Sequence, residues 1–189
     1  MSAAGYSIPE LAADLRRIRA QSGDEHAILV AVRPLALRAA AAQELWLEER
    51  MLAPDPGQGF SLFPLSEEPD RTLAVFAFSW LPARGTPPHD HGTWAVVAGV
   101  RGQEKNVFWR RRDDGARPGY AELDPIGVKV FEPGTVLAMP AGTIHAVRNE
   151  TAAVTVSLHI YGMHINHTGR SKFDPERRTA ELYLSRIEC

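Results

Sequence analysis

GTVLAMPAGTIHAVRN, residues 134 to 149, reads as two short strand-like pieces folded about a turn. Pro140 and Gly142 supply the turn, the first through its fixed φ and the second through its freedom at positive φ. His145 opens the second piece. A hairpin of this kind returns the chain beside its neighbour, so an imidazole at its start can be delivered to a site built elsewhere.

The surrounding chain has the same short-strand character. TLAVFAFSW (72–80), WAVVAGV (94–100), KNVFWRR (105–111), GVKVFE (127–132), TVLAMP (135–140) and AAVTVSLHIY (152–161) are separated by Gly, Pro and Asp clusters. Many short strands so spaced predict a sandwich, a jelly roll or a small barrel. The first third is different. Ser7 is placed to cap a helix over 8–20, with Pro9 in its first turn and Leu11, Leu15 and Ile18 on one face, and a second helix is expected over 34–52. The turn-rich APDPGQG at 53–59 separates the two regions, giving an N-terminal helical segment at 1–58 packed on a barrel at 59–189, one domain overall.

Composition limits the partners. The chain has 189 residues, is 44% hydrophobic and 23% charged, and carries a formal net charge of −2. That balance gives no surface for a polyanion, and RRRDDG at 110–115 is a solvated hairpin tip in which Asp113 and Asp114 answer the arginines. The single cysteine, Cys189, rules out an internal disulfide framework and a thiolate-rich zinc site. No signal-peptide pattern opens the chain, and no run approaches the ~18 apolar residues of a membrane span. The expectation is a cytoplasmic protein without nucleic-acid or membrane partners; its oligomeric state is not legible.

Upstream, PPHDHGTWAVVAGVRGQE (87–104) sets His89 and His91 two residues apart, so an extended backbone points both imidazoles to one side. That is half a metal site, and His145 offers the remainder. Together the two segments resemble the paired motifs of the cupin superfamily, whose fold is a double-stranded β-helix, or jelly-roll, barrel. Gly134, Pro140, Gly142, His145 and Asn149 fall at the family spacing, as do His89, His91 and Gly102, but Ala95 stands where the family usually has glutamate. Three imidazoles without a carboxylate leave a divalent ion its full charge. The common non-haem iron triad differs in having one carboxylate, and zinc accepts three histidines as well. Structural histidines in a metal-free cupin are the alternative.

VTVSLHIYG (154–162) alternates strictly. Val154, Val156, Leu158 and Ile160 face one way, and Thr155, Ser157, His159 and Tyr161 the other. Burying Ser157, His159 and Tyr161 together demands that each be hydrogen-bonded, which would make them a connected relay. A three-histidine cupin without the glutamate, followed by Ser-x-His-x-Tyr, resembles the thiol dioxygenases, the family of cysteine dioxygenase and 3-mercaptopropionate dioxygenase, over roughly residues 60 to 173. The resemblance implies Fe(II) held by His89, His91 and His145, a small thiol and O2 as co-substrates, and a sulfinic acid as product. It also implies that Ser157, His159 and Tyr161 act beside the metal. Residues 92–97, GTWAVV, contain no cysteine for the tyrosine crosslink of animal enzymes, so the likeness is to the bacterial type.

The carboxylate anchor is a separate question. GFSLFPLSEE (59–68) supplies neither the arginine nor the glutamine used by relatives, whereas Arg170 matches an arginine of the mercaptopropionate type. Its guanidinium suits a carboxylate, although a surface role in NHTGRSK is open. Arg84, Gln58 and Arg71 are further candidates; His164 and His167 read as surface or gate residues, Trp94 as packing, and His26 carries no signal. A thiol acid such as 3-mercaptopropionate is favoured over cysteine. Two rival readings are a cupin enzyme using zinc, nickel or manganese for another reaction, and a non-catalytic cupin that binds a small ligand.

Overall fold

A computed structural model describes residues 5–188; Cys189 lies outside the described residues. Helix α1, Ile8–Gln21, starts at Ser7 as the sequence predicts. Ser7 Oγ accepts from Glu10 N and Ser7 N donates to a Glu10 carboxylate oxygen, a reciprocal capping box. Helix α2 departs from expectation. It spans Glu25–Ala41, capped by Asp24, with Pro34 inside it. The hydrogen bond lost at Pro34 is outweighed by packing of Ile28, Leu29, Val32, Ala36, Ala39 and Ala40. The helix stops short of 52 because Trp46 turns inward, its Nε1 donating to Ala39 O at 2.9 Å, and residues 43–52 form two short 3-10 turns instead. Among the described residues no helix is long and apolar enough to cross a membrane.

Ten strands follow among the described residues: β1 Phe60–Ser66, β2 Thr72–Trp80, β3 Ala95–Arg101, β4 Glu104–Arg111, β5 Leu123–Phe131, β6 Val136–Met139, β7 Ile144–Arg148, β8 Thr155–Met163, β9 Ser171–Asp174 and β10 Thr179–Leu182. They form an antiparallel five-stranded sheet ordered β1-β2-β8-β3-β6, a three-stranded sheet ordered β5-β4-β7, and the hairpin β9-β10. This is a mainly β, double-stranded β-helix barrel with two helices at its N-terminal end. Strand β1 and the β9-β10 hairpin were not evident in the sequence.

The five-stranded sheet is buried on both faces, which is why β2 is almost wholly apolar. Val75, Ala77, Val96, Ala98, Val156, Leu158 and Ile160 pack outward against the helices, while Phe76, Phe78, Trp80, Ala95, Val97 and Tyr161 face the barrel interior. Strand β8 is central, so its polar alternation points inward, and Thr155, Ser157, His159 and Tyr161 are all buried. Strand β5 is the opposite case, an exposed edge with Pro125 and with Ile126, Val128 and Val130 in solvent. The β4-β5 connection is the polar tip expected from RRRDDG, with Arg111 paired to Asp113. Trp94 packs outward against the helical core, not into the barrel.

Two glycines at the end of β3 are backbone requirements. Gly102 has φ +70°, and a Cβ there would lie 2.6 Å from the Thr155 side chain. Gly99 permits a close crossing, since a Cβ would lie 2.3 Å from Glu132 O. Gly99→Ala is therefore expected to destabilise the fold by about 1–3 kcal/mol, measured as a lower urea midpoint.

Candidate metal centre

Two backbone hydrogen bonds bring the motif segments together. His89 N donates to His145 O at 2.8 Å and His145 N to His89 O at 3.0 Å, an isolated antiparallel bridge outside the regular ladders. The segment around His89 and His91 is thus extended without belonging to a strand, and both side chains still reach one point. The ligand-type nitrogens of His89, His91 and His145 all lie within 4.8 Å of one another, and the three residues are buried. They form a group able to hold a metal ion.

The surrounding hydrogen bonds fit that use. His89 Nδ1 lies 3.0 Å from Pro87 O; a carbonyl only accepts, so Nδ1 carries the proton and Nε2 the lone pair. His145 Nδ1 lies 2.8 Å from Asn106 Oδ1, and Asn106 turns that oxygen toward it by donating through Nδ2 to Glu104 O. His145 Nε2 is therefore also a lone pair, and it faces His91 Nε2 at 3.3 Å. Nitrogens about 2.0–2.1 Å from a shared zinc-sized ion lie about 3–3.5 Å apart, so the spacing suits a common cation. Outer N–H groups held by carbonyls are the usual support of histidine ligands. Burial is the main reason that His145 is held down to about 3 and that His89 and His91 fall well below the ordinary imidazole range. All three are neutral at physiological pH, the form that binds metal.

Ala95 lies across from Tyr161 in the β3-β8 pairing and is fully buried. Residues so paired share a face, so the small methyl leaves this part of the interior to the phenol, whose ring centroid is 5.2 Å from that of His91. A hydrogen-bonded chain leads away from it. Tyr161 Oη is 2.8 Å from His159 Nδ1, and His159 Nε2 is 2.9 Å from Ser157 Oγ. Ser157 Oγ in turn donates to Glu104 Oε2 at 3.0 Å when that carboxyl is ionised. The His159 ring stacks on Phe78 with centroids 4.0 Å apart, fixing its plane. Burial raises the Tyr161 phenol well above its usual pKa and keeps it protonated.

Arg170 is buried, with Nε donating to Tyr183 O at 3.1 Å and Nη2 to Ser185 Oγ at 2.5 Å. Its guanidinium lies over the Tyr183 ring, 4.2 Å from the centroid. No ion pair holds it in contact among the described residues, and burial lowers its pKa, opposed by the nearby Tyr161, Tyr183 and the charge of Asp90 at longer range. It lines a small cavity of about 10 Å³ together with the three ligand-type histidines, His159, Tyr161, Tyr183 and an aromatic wall of Phe60, Phe78 and Trp80. That is room for about one water, so a larger ligand requires the wall to move. A groove of about 450 Å³ lined by Pro87, Phe173 and Asp174 lies outside, and no imidazole of the cluster lines it.

The other sequence candidates lie elsewhere. Arg84 Nη2 donates to Pro56 O, Gln58 bonds to Phe60 O, and Arg71 pairs with Glu67. His167 is exposed, but His164 is not a surface residue: it is buried edge-on against Phe76, and its Nδ1 accepts from Asn166 N. His26 is exposed on α2, away from the cluster. Sequence reasoning missed Glu104, Asn106, Tyr183 and Ser185. Glu104 and Asn106 did leave a signal, since they alternate in phase with Phe108 on β4, a face that then turns inward.

No family model matches the chain. Among solved structures it is similar to oxalate oxidase in complex with the substrate analogue glycolate, with TM-score 0.46 and 15% identity over 61% of this chain and 55% of that one. It is also similar to a cupin domain of an XRE-family transcriptional regulator from Enterobacter cloacae, with TM-score 0.39 and 16% identity over 55% of this chain and 96% of that one. A conserved protein with a double-stranded beta-helix domain from Klebsiella pneumoniae gives TM-score 0.45 and 12% identity over 70% and 93%. The chain spans about half the length of the oxalate oxidase it matches. Neither metal nor substrate carries across at this distance.

Two outcomes follow from the geometry. His145→Ala should abolish tight binding of one divalent ion per chain, and Asn106→Ala should weaken it ~10–100-fold, both read by metal analysis after dialysis against a chelator series. Burial raises the Glu104 carboxyl from 4.5 to about 7, against the hydrogen bond from Ser157. Because the folded pKa is the higher, Glu104 stabilises the fold fully below its unfolded pKa and loses that stability as pH rises through about 7. Denaturant titrations should show wild type losing on the order of 3 kcal/mol across this window relative to Glu104→Gln.

Proposed function

We propose that this chain is an Fe(II)-dependent thiol dioxygenase that converts a small thiol carboxylate to its sulfinic acid. The observation that carries the reading is a buried, unpaired Arg170 guanidinium sharing one cavity with three neutral imidazoles and Tyr161. The overall change is RSH + O2 → RSO2H. Both oxygen atoms form bonds to sulfur, sulfur gives up four electrons, and O2 takes them.

His89, His91 and His145 would hold the ferrous ion, which supplies the open positions and the redox chemistry that bring a thiolate and O2 together. Other tasks fall to the chain itself. Arg170 accepts the substrate carboxylate as the counter-ion it lacks, and its bonds to Tyr183 O and Ser185 Oγ fix its direction. Phe60, Phe78 and Trp80 keep water from the reacting sulfur. Tyr161 holds a proton beside His91, oriented through His159 and Ser157.

The cavity lining also bears on the substrate. It contains no acidic side chain that would pair with an ammonium group. This favours 3-mercaptopropionate, or a related thiol acid, over cysteine. A cytoplasmic setting, where small thiols stay reduced, suits the activity.

The test is O2 consumption by anaerobically Fe(II)-loaded protein with 3-mercaptopropionate, mercaptosuccinate, cysteine and cysteamine, with mass spectrometry for the sulfinate. The carboxylate thiols without an ammonium should be fastest and cysteamine slowest. Arg170→Ala should raise KM for the best thiol on the order of 10–100-fold, the worth of a hydrogen-bonded charge pair. Absence of thiol-dependent uptake by iron-loaded protein would overturn the assignment and favour another metal and reaction in the same cavity.

A further inference from the structure

We propose that Glu104 is a positioning residue whose protonation state sets the direction of every hydrogen bond along Ser157, His159 and Tyr161, and thereby whether Tyr161 offers the cavity a proton or a lone pair. Glu104 opens β4, is buried, and among the described residues is the only carboxylate hydrogen-bonded to Ser157, His159 or Tyr161. The inference concerns proton positions within the protein and stands apart from the thiol assignment.

The constraint is a count of protons. Ser157 Oγ has one hydrogen and two lone pairs, and Trp80 Nε1 donates to one of those lone pairs at 3.4 Å. Ser157 must therefore donate to one of Glu104 and His159 and accept from the other. His159 is buried and held neutral, so it too has one N–H and one lone pair, shared between Ser157 at Nε2 and Tyr161 at Nδ1. Only two arrangements satisfy all members.

When Glu104 is ionised it can only accept. Ser157 donates to it, His159 Nε2–H donates to Ser157, and Tyr161 O–H donates to His159 Nδ1, leaving phenol lone pairs toward the cavity. When Glu104 is protonated on Oε2 every bond reverses. Glu104 donates to Ser157, Ser157 to His159 Nε2, His159 Nδ1–H to Tyr161 Oη, and the Tyr161 proton is free for an acceptor in the cavity. A proton given up there is replaced along the chain, and the net loss is at Glu104. One proton leaves Tyr161 for each one lost from the carboxyl.

The surroundings keep both states within reach of neutral pH. Glu104 Oε1 makes no hydrogen bond of good geometry, and burial of the carboxyl outweighs the support that Ser157, Thr155 and Trp80 give its ionised form. Strand β8 presents Ser157 and Thr155 to the carboxyl, and β2 presents Trp80, none of them charged. Phe131 of β5 lies opposite Glu104, Lys105 beside it pairs with Glu150, and the Tyr161 phenol feels the Glu104 charge. No cation pairs with Glu104 among the described residues. Burial raises its carboxyl to about 7.

The test is the tautomer of His159, read from imidazole 15N shifts in the full-length protein. Zinc serves as a diamagnetic occupant of the three-histidine group, and no substrate is present. In wild type the proton should sit on Nε2 at high pH and move to Nδ1 at low pH, with a midpoint near 7. Glu104→Gln should hold one tautomer at all pH values. Ser157→Ala breaks the chain without touching Glu104, so the carboxylic acid C=O stretch should still titrate in the infrared while His159 no longer switches. A single His159 tautomer across the range in wild type, or a switch that survives in Glu104→Gln or Ser157→Ala, would overturn the proposal. A purely structural Glu104 moves none of these readouts with pH. Failure of the thiol assay leaves them unchanged, so the two readings fail separately.

Discussion

The antiparallel bridge between His89 and His145 is the contact on which the centre depends. It joins a segment before β3 to the start of β7, far apart in sequence, through paired backbone hydrogen bonds of 2.8 and 3.0 Å. Backbone bonds locate imidazoles better than side-chain packing does, because they set the direction of Cα–Cβ at both residues. With the bridge in place, the carbonyl of Pro87 and the amide of Asn106 need only fix the tautomers. The result is an inward lone pair on Nε2 of both His89 and His145, with His91 Nε2 3.3 Å from that of His145, a spacing that suits a shared cation.

Around that cluster the barrel separates polar work from packing by strand alternation. β8, central in the five-stranded sheet, sends Val156, Leu158 and Ile160 to the helices and Ser157, His159 and Tyr161 to the interior. A one-residue slip would exchange the two sets, so the apolar contact with α1 and α2 also holds the relay in register. The helices contribute no side chain to the cavity, yet they decide which face of β8 becomes its wall. The buried charge follows the same economy. Arg170 is tied to the segment after β10 through Tyr183 and Ser185, and its positive end is left for an anion from outside.

Much of this could be read from residues in order. The turn at Pro140 and Gly142, the two-residue spacing of His89 and His91, and the alternation of 154–162 are local patterns, and the local patterns hold in the structure. The second helix was misjudged because Pro34 looks like a start signal when only its neighbours are considered, whereas packing on the barrel carries the helix through it. Glu104 was missed for a related reason, although its alternation with Asn106 and Phe108 gave a weak signal. A charged residue beside Lys105 at the head of a strand is ordinarily solvated, and only the closing of the barrel shows that its face turns inward to meet Ser157. Tyr183 and Ser185 lie on a segment without regular structure that reaches the cavity by tertiary contact, and such contacts leave no periodicity to read.

The central claim is a metal centre of three neutral imidazoles that receives a thiolate, and X-ray absorption at the iron edge addresses it directly. The anaerobic Fe(II)-loaded protein should show imidazole scattering from three ligands, and addition of 3-mercaptopropionate should bring one sulfur into the first coordination sphere. A spectrum with carboxylate oxygens in place of the imidazoles, or one in which no sulfur enters when the thiol is present in excess, would contradict the account.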